Sequence, residues 1–135
     1  MPSVPAFPSW PRPVRMLMRP LGISADGMSR QQRFLEVISE NIANAQTTRT
    51  PDGGPYQRQV ATAEGGQVSV KTDAQPGRSI YDPGHPDADP QGFVRMPNVD
   101  VNIEMVDLMI ARRVHEANAT VFEAAKSMLK RALEI

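Results

Sequence analysis

Residues 98–135, NVDVNIEMVDLMIARRVHEANATVFEAAKSMLKRALEI, decide the fold of this chain. No proline or glycine follows Pro97, so about 34 residues can form one helix, about 50 Å long at a rise of about 1.5 Å per residue. Asn98 or Asp100 is the predicted N-cap, and Glu104 suits the positive end of the helix dipole. The segment therefore predicts a long C-terminal helix.

The apolar residues of this helix form two stripes with a spacing near that of helices that pack on other helices. One partner helix covers one stripe, so two stripes predict more than one neighbour. The first stripe contains Ile110, Val114, Ala117, Val121, Ala124 and Met128. The second contains Met105, Leu108, Ala119, Phe122, Leu129 and Leu133.

A second amphipathic helix is predicted from about Ile23 to Ala45, with Ser24 or Asp26 as its N-cap. Its apolar stripe is again too wide for a single partner. The residues that define the stripe are Leu21, Met28, Leu35, Ile38, Ile42 and Ala45.

Asparagines near the helix ends have two interpretations, which the sequence leaves open. Asn41, Asn44, Asn98 and Asn118 either cap helix ends, or lie on a helix seam and fix its register and partner number.

The middle of the chain, residues 51–96, is rich in turn residues and predicts a small β insert. Two strands are expected at Tyr56–Val60 and Gln67–Lys71, joined by a hairpin turn at Gly65-Gly66. Two shorter strands are expected at Ser79–Tyr81 and Gly92–Met96. So small a sheet needs support from a helix or a partner.

These elements define a mainly α fold, in which residues 18–50 and 97–135 form a coiled-coil core domain around the insert. Residues 1–17 precede this domain. Prolines at positions 2, 5, 8, 11 and 13 favour extended chain over residues 1–15, so this part is interpreted as a disordered leader or a start-site artefact. The alternative is a Pro-rich docking tail anchored by Trp10.

Composition excludes several classes of function. Lys+Arg and Asp+Glu both number 15, so no global basic field attracts nucleic acid. The chain has no cysteine, which excludes disulfides and thiolate sites. No apolar run approaches the roughly 20 residues that span a bilayer, and Arg19-Pro20 interrupts the N-terminal apolar run that a signal peptide needs.

One cluster has the residue types of a metal site: Asp82, His85, Asp87 and Asp89. Prolines stiffen this segment and no bidentate Glu follows at EF-hand spacing, so it is interpreted as a turn-rich loop. No nucleophile is oriented towards His115, which is interpreted as a surface or interface residue. No catalytic residue, metal or cofactor is therefore predicted.

Several segments resemble a known family. ISADGM (23–28) and VISENIANAQTTRT (37–50) are similar to the N-terminal motif of flagellar rod, hook and hook-associated proteins. PDGGPY (51–56), YDPGHPDAD (81–89) and MPNVD (96–100) narrow the resemblance to proximal rod proteins of the basal body. The resemblance runs from about residue 18 to the end, although residues 61–66 lack the apolar strand continuation expected of the family.

The resemblance implies a non-enzymatic structural subunit whose paired helices form an axial D0-type coiled-coil domain. Copies of the chain, together with other proximal and distal rod proteins, would stack helically into a drive shaft that transmits torque and encloses the export channel. The shaft would meet the export and MS-ring junction. The flagellar type III apparatus would export the chain without a cleaved signal peptide, and no membrane insertion is implied.

Subunit contacts are predicted on both helices and on the loop. The helix positions are Leu35, Ile38, Asn41, Ile42, Asn44, Ile110, Val114, Val121, Phe122, Met128 and Leu129, and the loop positions are Asp82, Pro83, His85 and Pro86. One alternative function is a soluble coiled-coil adaptor or a type III-secreted helical protein. Another is an enzyme or metal-binding module built on residues 82–89.

Overall fold

Two long helices frame the protein, whose computed structural model describes residues 11–134. Helix α1 spans Arg12–Ala43 and helix α2 spans Val101–Glu134. The helices pack against each other and run antiparallel, because the end of α1 meets the start of α2 while Gly27 lies beside Asn118. This confirms a helix-rich fold with a β insert between terminal helices. The coiled-coil geometry stays a prediction.

The first helix begins earlier than the sequence predicted. Pro11 is its N-cap, and the helix continues through Pro20 instead of starting at Ile23. Proline is compatible with the first helical turn, where the N–H groups have no intrahelical partner, and Pro20 removes only one bond from a long ladder. Val14, Met18 and Leu21 recur at helical spacing and are half-buried, which indicates that packing stabilises this extension.

The interpretation of residues 1–17 as a disordered leader is therefore wrong for residues 12–17, which belong to α1, and the start-site alternative stays a prediction. The part of that assignment that concerns residues 1–10, including the Trp10 docking tail, lies outside the described residues.

The seam between the helices contains small and polar residues as well as apolar ones. On α2 it follows alternating steps of four and three residues, each position being buried or half-buried: Glu104, Leu108, Ala111, His115, Asn118, Phe122, Ala125 and Leu129. On α1 the matching positions are Ser24, Gly27, Gln31, Phe34, Ile38 and Asn41, and Ala45 continues the line just beyond the helix. A Cβ at position 27 would lie 3.1 Å from the Asn118 amide nitrogen, so glycine lets the helices approach closely there.

The insert contains two separate two-stranded antiparallel sheets. Strands β1 (Gln59–Glu64) and β2 (Gln67–Thr72) form the first, and the sequence predicted their Gly65-Gly66 turn. Both glycines have positive φ, 59° and 80°, as the type I′ turn of a tight hairpin requires. This hairpin contacts α1 through both strands.

Strand β1 differs from its predicted bounds at both ends. It extends through Glu64, although residues 61–66 lack apolar character, because the Gly65-Gly66 turn pairs Glu64 with Gln67. It does not begin at Tyr56, because the preceding backbone is bonded elsewhere. The Tyr56 N–H donates to the Thr47 carbonyl, and the Arg58 N–H donates to Asn98 Oδ1.

Strands β3 (Ser79–Tyr81) and β4 (Phe93–Arg95) form the second sheet, close to the predicted positions. Among the helices and strands, these two contact only each other. Val94 and Met96 are nevertheless buried beneath the loops. Gly77 lies so close to the following segment that an added Cβ would overlap the Met96 carbonyl oxygen.

Candidate subunit interface

A buried polar junction connects both helices with the insert. Asn41 of α1 is 1% exposed and uses its whole amide. Its Oδ1 accepts from the Tyr56 hydroxyl at 2.8 Å and from the Gln59 N–H at 2.9 Å. Its Nδ2 donates to the Gln59 carbonyl at 2.8 Å and lies 3.4 Å from Glu104 Oε2. Asn41 therefore joins α1, the start of β1 and α2.

Glu104 is the contribution of α2 to this junction. Its carboxylate is 1% exposed and accepts from the Arg58 guanidinium, which also lies 3.8 Å from Asp73. The hydrogen bond to Glu104 raises the pKa of Arg58. Burial, and then the negative charges of Glu40 and Glu104, raise the pKa of Tyr56 above its usual 10.0. The junction thus holds a paired Arg58–Glu104 charge and a protonated tyrosine.

Asn98 extends the same junction towards the loop before β3. Its Oδ1 accepts from the Arg58 N–H at 2.7 Å, and its Nδ2 donates to the carbonyls of Asp73 and Gln75. The side chain that caps α2 is Asp100, whose Oδ1 accepts from the N–H of Asn102 at 3.0 Å.

The two asparagines of α1 thus have different environments. Asn44 Nδ2 donates to the Glu40 carbonyl at 2.8 Å, and its Oδ1 accepts from the Thr47 hydroxyl, so Asn44 helps to end the helix. Asn41 is buried within the chain. Its side chain is consequently not available to a neighbouring subunit, whereas the half-buried Asn44 lies at the surface.

The outer face of α2 carries an apolar stripe that no part of residues 11–134 covers. Ile110 is 57% exposed, Val121 51% and Met128 59%. We call the exposed residues of this face the outer stripe: Ile103, Val106, Ile110, Val114, Ala117, Val121, Ala124 and Met128. Ile103 and Val106 were not singled out by the sequence, although their spacing of seven and four residues from Ile110 continues the stripe.

The predicted interface residues divide into two groups. Ile110, Val114, Val121 and Met128 lie on the outer stripe. Phe122 and Leu129 are half-buried on the seam face of α2, as is His115, whose Nδ1 has no hydrogen-bond partner among the described residues. On α1, the predicted apolar positions are each half-buried: Leu35, Ile38 and Ile42.

The loop at residues 82–89 is anchored to the segment after α1. Asp87 accepts from the Thr48 hydroxyl at 2.6 Å and forms an ion pair with Arg49. The Thr48 hydrogen bond is the main cause that lowers the pKa of Asp87, and Arg49 adds to it. Of the predicted loop contacts, Asp82, Pro83 and Pro86 are exposed and His85 is half-buried.

Hydrogen bonds and an ion pair engage most of the side chains in this loop that are of metal-ligating types. His85 Nδ1 accepts from the Asp87 N–H at 3.0 Å, and Asp89 Oδ1 accepts from the N–H groups of Gln91 and Phe93. Within residues 11–134, no three His, Asp or Glu side chains gather as a metal site. The loop is therefore built by capping interactions.

A feature that the sequence missed is an aromatic pair on the second sheet. The rings of Tyr81 and Phe93 meet edge to face, with centroids 5.3 Å apart, and both are exposed.

Neither α1 nor α2 has an 18-residue stretch apolar enough to cross a bilayer, as far as the described residues go.

Both ends of the chain match families of flagellar rod domains. Residues 21–49 match the family described as flagella basal body rod protein. Residues 91–135 match the family described as flagellar basal body rod FlgEFG protein C-terminal. Paired terminal helices with these two matches define the class as a flagellar rod protein, as the resemblance predicted.

Curated relatives narrow the class. The flagellar basal-body rod protein FlgC of Borreliella burgdorferi is 37% identical, over 88% of this chain and 97% of the relative. FlgC of Salmonella typhimurium is 38% identical over the same shares, and FlgC of Bacillus subtilis is 34% identical over 85% and 95%. The chain belongs to the FlgC family of flagellar basal-body rod proteins.

Proposed function

We propose that the chain is a structural, non-enzymatic subunit of the proximal rod, which joins other copies and other rod proteins in a helical tube. The outer stripe of α2 is the observation that carries this proposal. It extends over most of a 34-residue helix, and the seam with α1 occupies a different face. A contiguous apolar face of this size is typical of a protein–protein contact.

Assembly removes this stripe from water. Burial contributes about 25 cal/mol per Å² of apolar surface, so many shallow contacts along α2 together stabilise a shaft strongly. The stripe is one continuous line on one side of the helix pair. Contacts between such a face and a different face of the next subunit are heterologous, and they build an open helical assembly when the rotation from one subunit to the next does not close a ring.

The buried junction supports the mechanical role. Asn41, Arg58 and Glu104 tie α1, β1 and α2 into one unit, so a load applied to the insert reaches both helices. We further propose that the tube encloses the export channel, and that the chain is exported by the flagellar type III apparatus without a cleaved signal peptide.

This function is tested in the source bacterium by deleting the gene and then restoring it as a tagged copy. Deletion of the gene should abolish motility, and an epitope-tagged copy should restore it and sediment with purified basal bodies. A tagged chain that restores motility but remains in the soluble fraction would contradict a rod subunit and favour an adaptor. His85→Ala together with Asp87→Ala should leave a competent subunit, whereas complete loss of function in a folded variant would favour chemistry at the loop.

A further inference from the structure

A crevice opens beside the buried junction, where the insert meets both helices. Its volume is about 270 Å³, and α1, β1 and α2 each contribute to its apolar walls. The residues that form these walls are Phe34, Val37, Ile38, Val60, Ala61 and Ile110. Ile110 also belongs to the outer stripe and is 57% exposed, so the crevice continues the exposed apolar surface of α2.

One carboxylate of this crevice has no cationic partner among the described residues. Asp107 lines the crevice, is half-buried, and forms no ion pair within residues 11–134. Arg58 also lines the crevice, but Glu104 and Asp73 already pair with it. An apolar hollow beside an unpaired carboxylate fits an apolar side chain that has a cation next to it.

The start of α1 presents such a combination at its surface. Met16 is 75% exposed and lines a shallow hollow together with Arg12, Arg15 and Arg19. The three arginines are exposed, and none of them forms an ion pair within the part of the chain that the structure describes. Ile23, which is 65% exposed, lies one turn beyond Arg19. We call Met16 and the three arginines the basic tip.

The crevice and the basic tip lie in parts of the molecule that have opposite net charge. Residues 34–110, which include the insert and the crevice, contain eleven acidic and five basic side chains. The two helices beyond the crevice, residues 11–33 and 111–134, contain ten basic and four acidic side chains. Because the first part is net negative and the second net positive, the basic tip of one molecule is attracted towards the crevice of another.

We propose that the basic tip of one copy docks in the crevice of a second copy, with Met16 between the apolar walls and an arginine of the tip paired with Asp107. This inference rests on the proposed function and names two surfaces through which copies meet. A chain cannot make this contact with itself, because Met16 and Phe34 lie about 27 Å apart along one continuous helix, at about 1.5 Å per residue. The tip and the crevice are different surfaces, so the contact is heterologous.

The absence of cysteine permits a direct test of this contact. A full-length chain with both Met16→Cys and Ile110→Cys replaces the natural copy in the source bacterium. Position 16 is about 27 Å along α1 from the crevice, whereas a disulfide needs Cα atoms within about 7 Å, so each disulfide between the two positions joins two copies. Oxidised basal bodies should give a ladder of cross-linked chains on a denaturing gel.

Met16→Cys with Met105→Cys is the matched control. Met105 is 51% exposed, close to the 57% of Ile110, but it lies outside the crevice and about 140° round α2 from Ile110. We expect about 10-fold more cross-linked product from the first pair, because only that pair comes within bridging distance. Equal yields would overturn the proposal.

Charge reversal then tests the pairing with Asp107 in the purified Met16→Cys and Ile110→Cys chain at low salt. Arg12→Glu, Arg15→Glu and Arg19→Glu together should slow its cross-linking about 10-fold, because like charges then meet at the crevice. Asp107→Lys in the same chain should restore much of the rate. No recovery of the rate with Asp107→Lys would rule out this carboxylate as the partner of the tip.

A second set of reversals separates local docking from general attraction. Lys126→Glu, Lys130→Glu and Arg131→Glu make the same change of charge at exposed positions near the end of α2. They should slow cross-linking much less than the reversals in the basic tip. Equal slowing by the two sets would leave only a general attraction between copies and overturn docking by the tip.

Failure here is distinguishable from failure of the proposed function. If the tagged wild-type chain sediments with basal bodies while the cysteine pair at the crevice cross-links no better than its control, the rod assignment stands and only the docking surface is wrong. If the wild-type chain does not sediment with basal bodies, the proposed function itself fails.

Discussion

The two helices have nearly the same length, 32 and 34 residues, and pack side by side, yet their outward faces have opposite character. The outer side of α1 is polar: Ser29, Gln32, Arg33, Glu36, Ser39 and Glu40 are all exposed there. The outer side of α2 is the apolar stripe. Since each helix already covers the seam face of the other, the comparison favours the outer side of α2, over that of α1, as the surface that we propose for neighbouring subunits.

The largest effect is expected from charges placed on the outer stripe. Ile110→Asp with Val121→Asp should abolish motility and incorporation into basal bodies, because two carboxylates cannot be buried without partners. Ser29→Asp with Gln32→Asp adds the same charge to the outer side of α1 and should preserve both. Circular dichroism should show unchanged helix content in both variants. Equal loss of incorporation in the two pairs would remove the distinction between the helices.

The next largest effect concerns the stability of the junction. Asn41→Ala should lower the free energy of unfolding by about 2–4 kcal/mol, because it leaves the Tyr56 hydroxyl and two backbone groups of Gln59 without partners. Asn44→Ala is the matched control and should cost less than about 1 kcal/mol, because its bond to the Glu40 carbonyl is exposed to solvent and its bond from Thr47 is only part-buried. Urea unfolding of both variants measures the difference. Similar losses of unfolding free energy in the two variants would show that the hydrogen bonds of Asn41 do not hold the helices together.

A smaller effect is expected at alkaline pH. Tyr56 lies near the carboxylates of Glu40 on α1 and Glu104 on α2, and burial with these charges raises its pKa. The folded state therefore keeps its proton where the unfolded state loses it, so stability is retained below about pH 10 and falls as pH rises further. Tyr56→Phe should flatten this fall in a titration of the unfolding midpoint. If stability fell as steeply at alkaline pH in the Tyr56→Phe variant as in the wild type, Tyr56 would not be the group whose pKa the carboxylates of both helices raise.

The smallest effect is expected at acid pH, in the loop anchored beyond α1. The pKa of Asp87 is lowered, so its contribution is present above the ordinary aspartate pKa of about 3.9 and is lost as pH falls through the folded value. Hydrogen exchange at the amides of residues 85–93 should accelerate in that window. Asp87→Asn should remove the pH dependence, while Asp82→Asn, exposed on the same loop, should retain it.

Much of the fold could be predicted because long uninterrupted patterns determine it. The lack of proline and glycine after Pro97 gave α2, and alternation with paired glycines gave the first hairpin. The start of α1 was missed because prolines were read as helix breakers, although they are tolerated in a first turn and within a packed helix.

The candidate site was harder to predict for a related reason. Apolar periodicity found the stripe around Val121, but it did not identify which stripe faces α1, because the seam includes Ser24, Gly27 and Asn118. The aromatic pair of the second sheet depends on the register between β3 and β4 across a long loop. Nothing local in the sequence specifies that Tyr81 lies opposite Phe93.

The turn at Gly65-Gly66 has a practical consequence. A side chain added at either glycine would meet no other atom within 4 Å, and the turn lies at the tip of a hairpin whose two strands contact, among the described helices and other strands, α1 alone. An epitope or a fluorophore-binding peptide spliced into this tip would sit clear of the aromatic pair, the outer stripe and the junction. The living flagellum could then be labelled there and its growth followed under the microscope without disturbing the parts that hold it together.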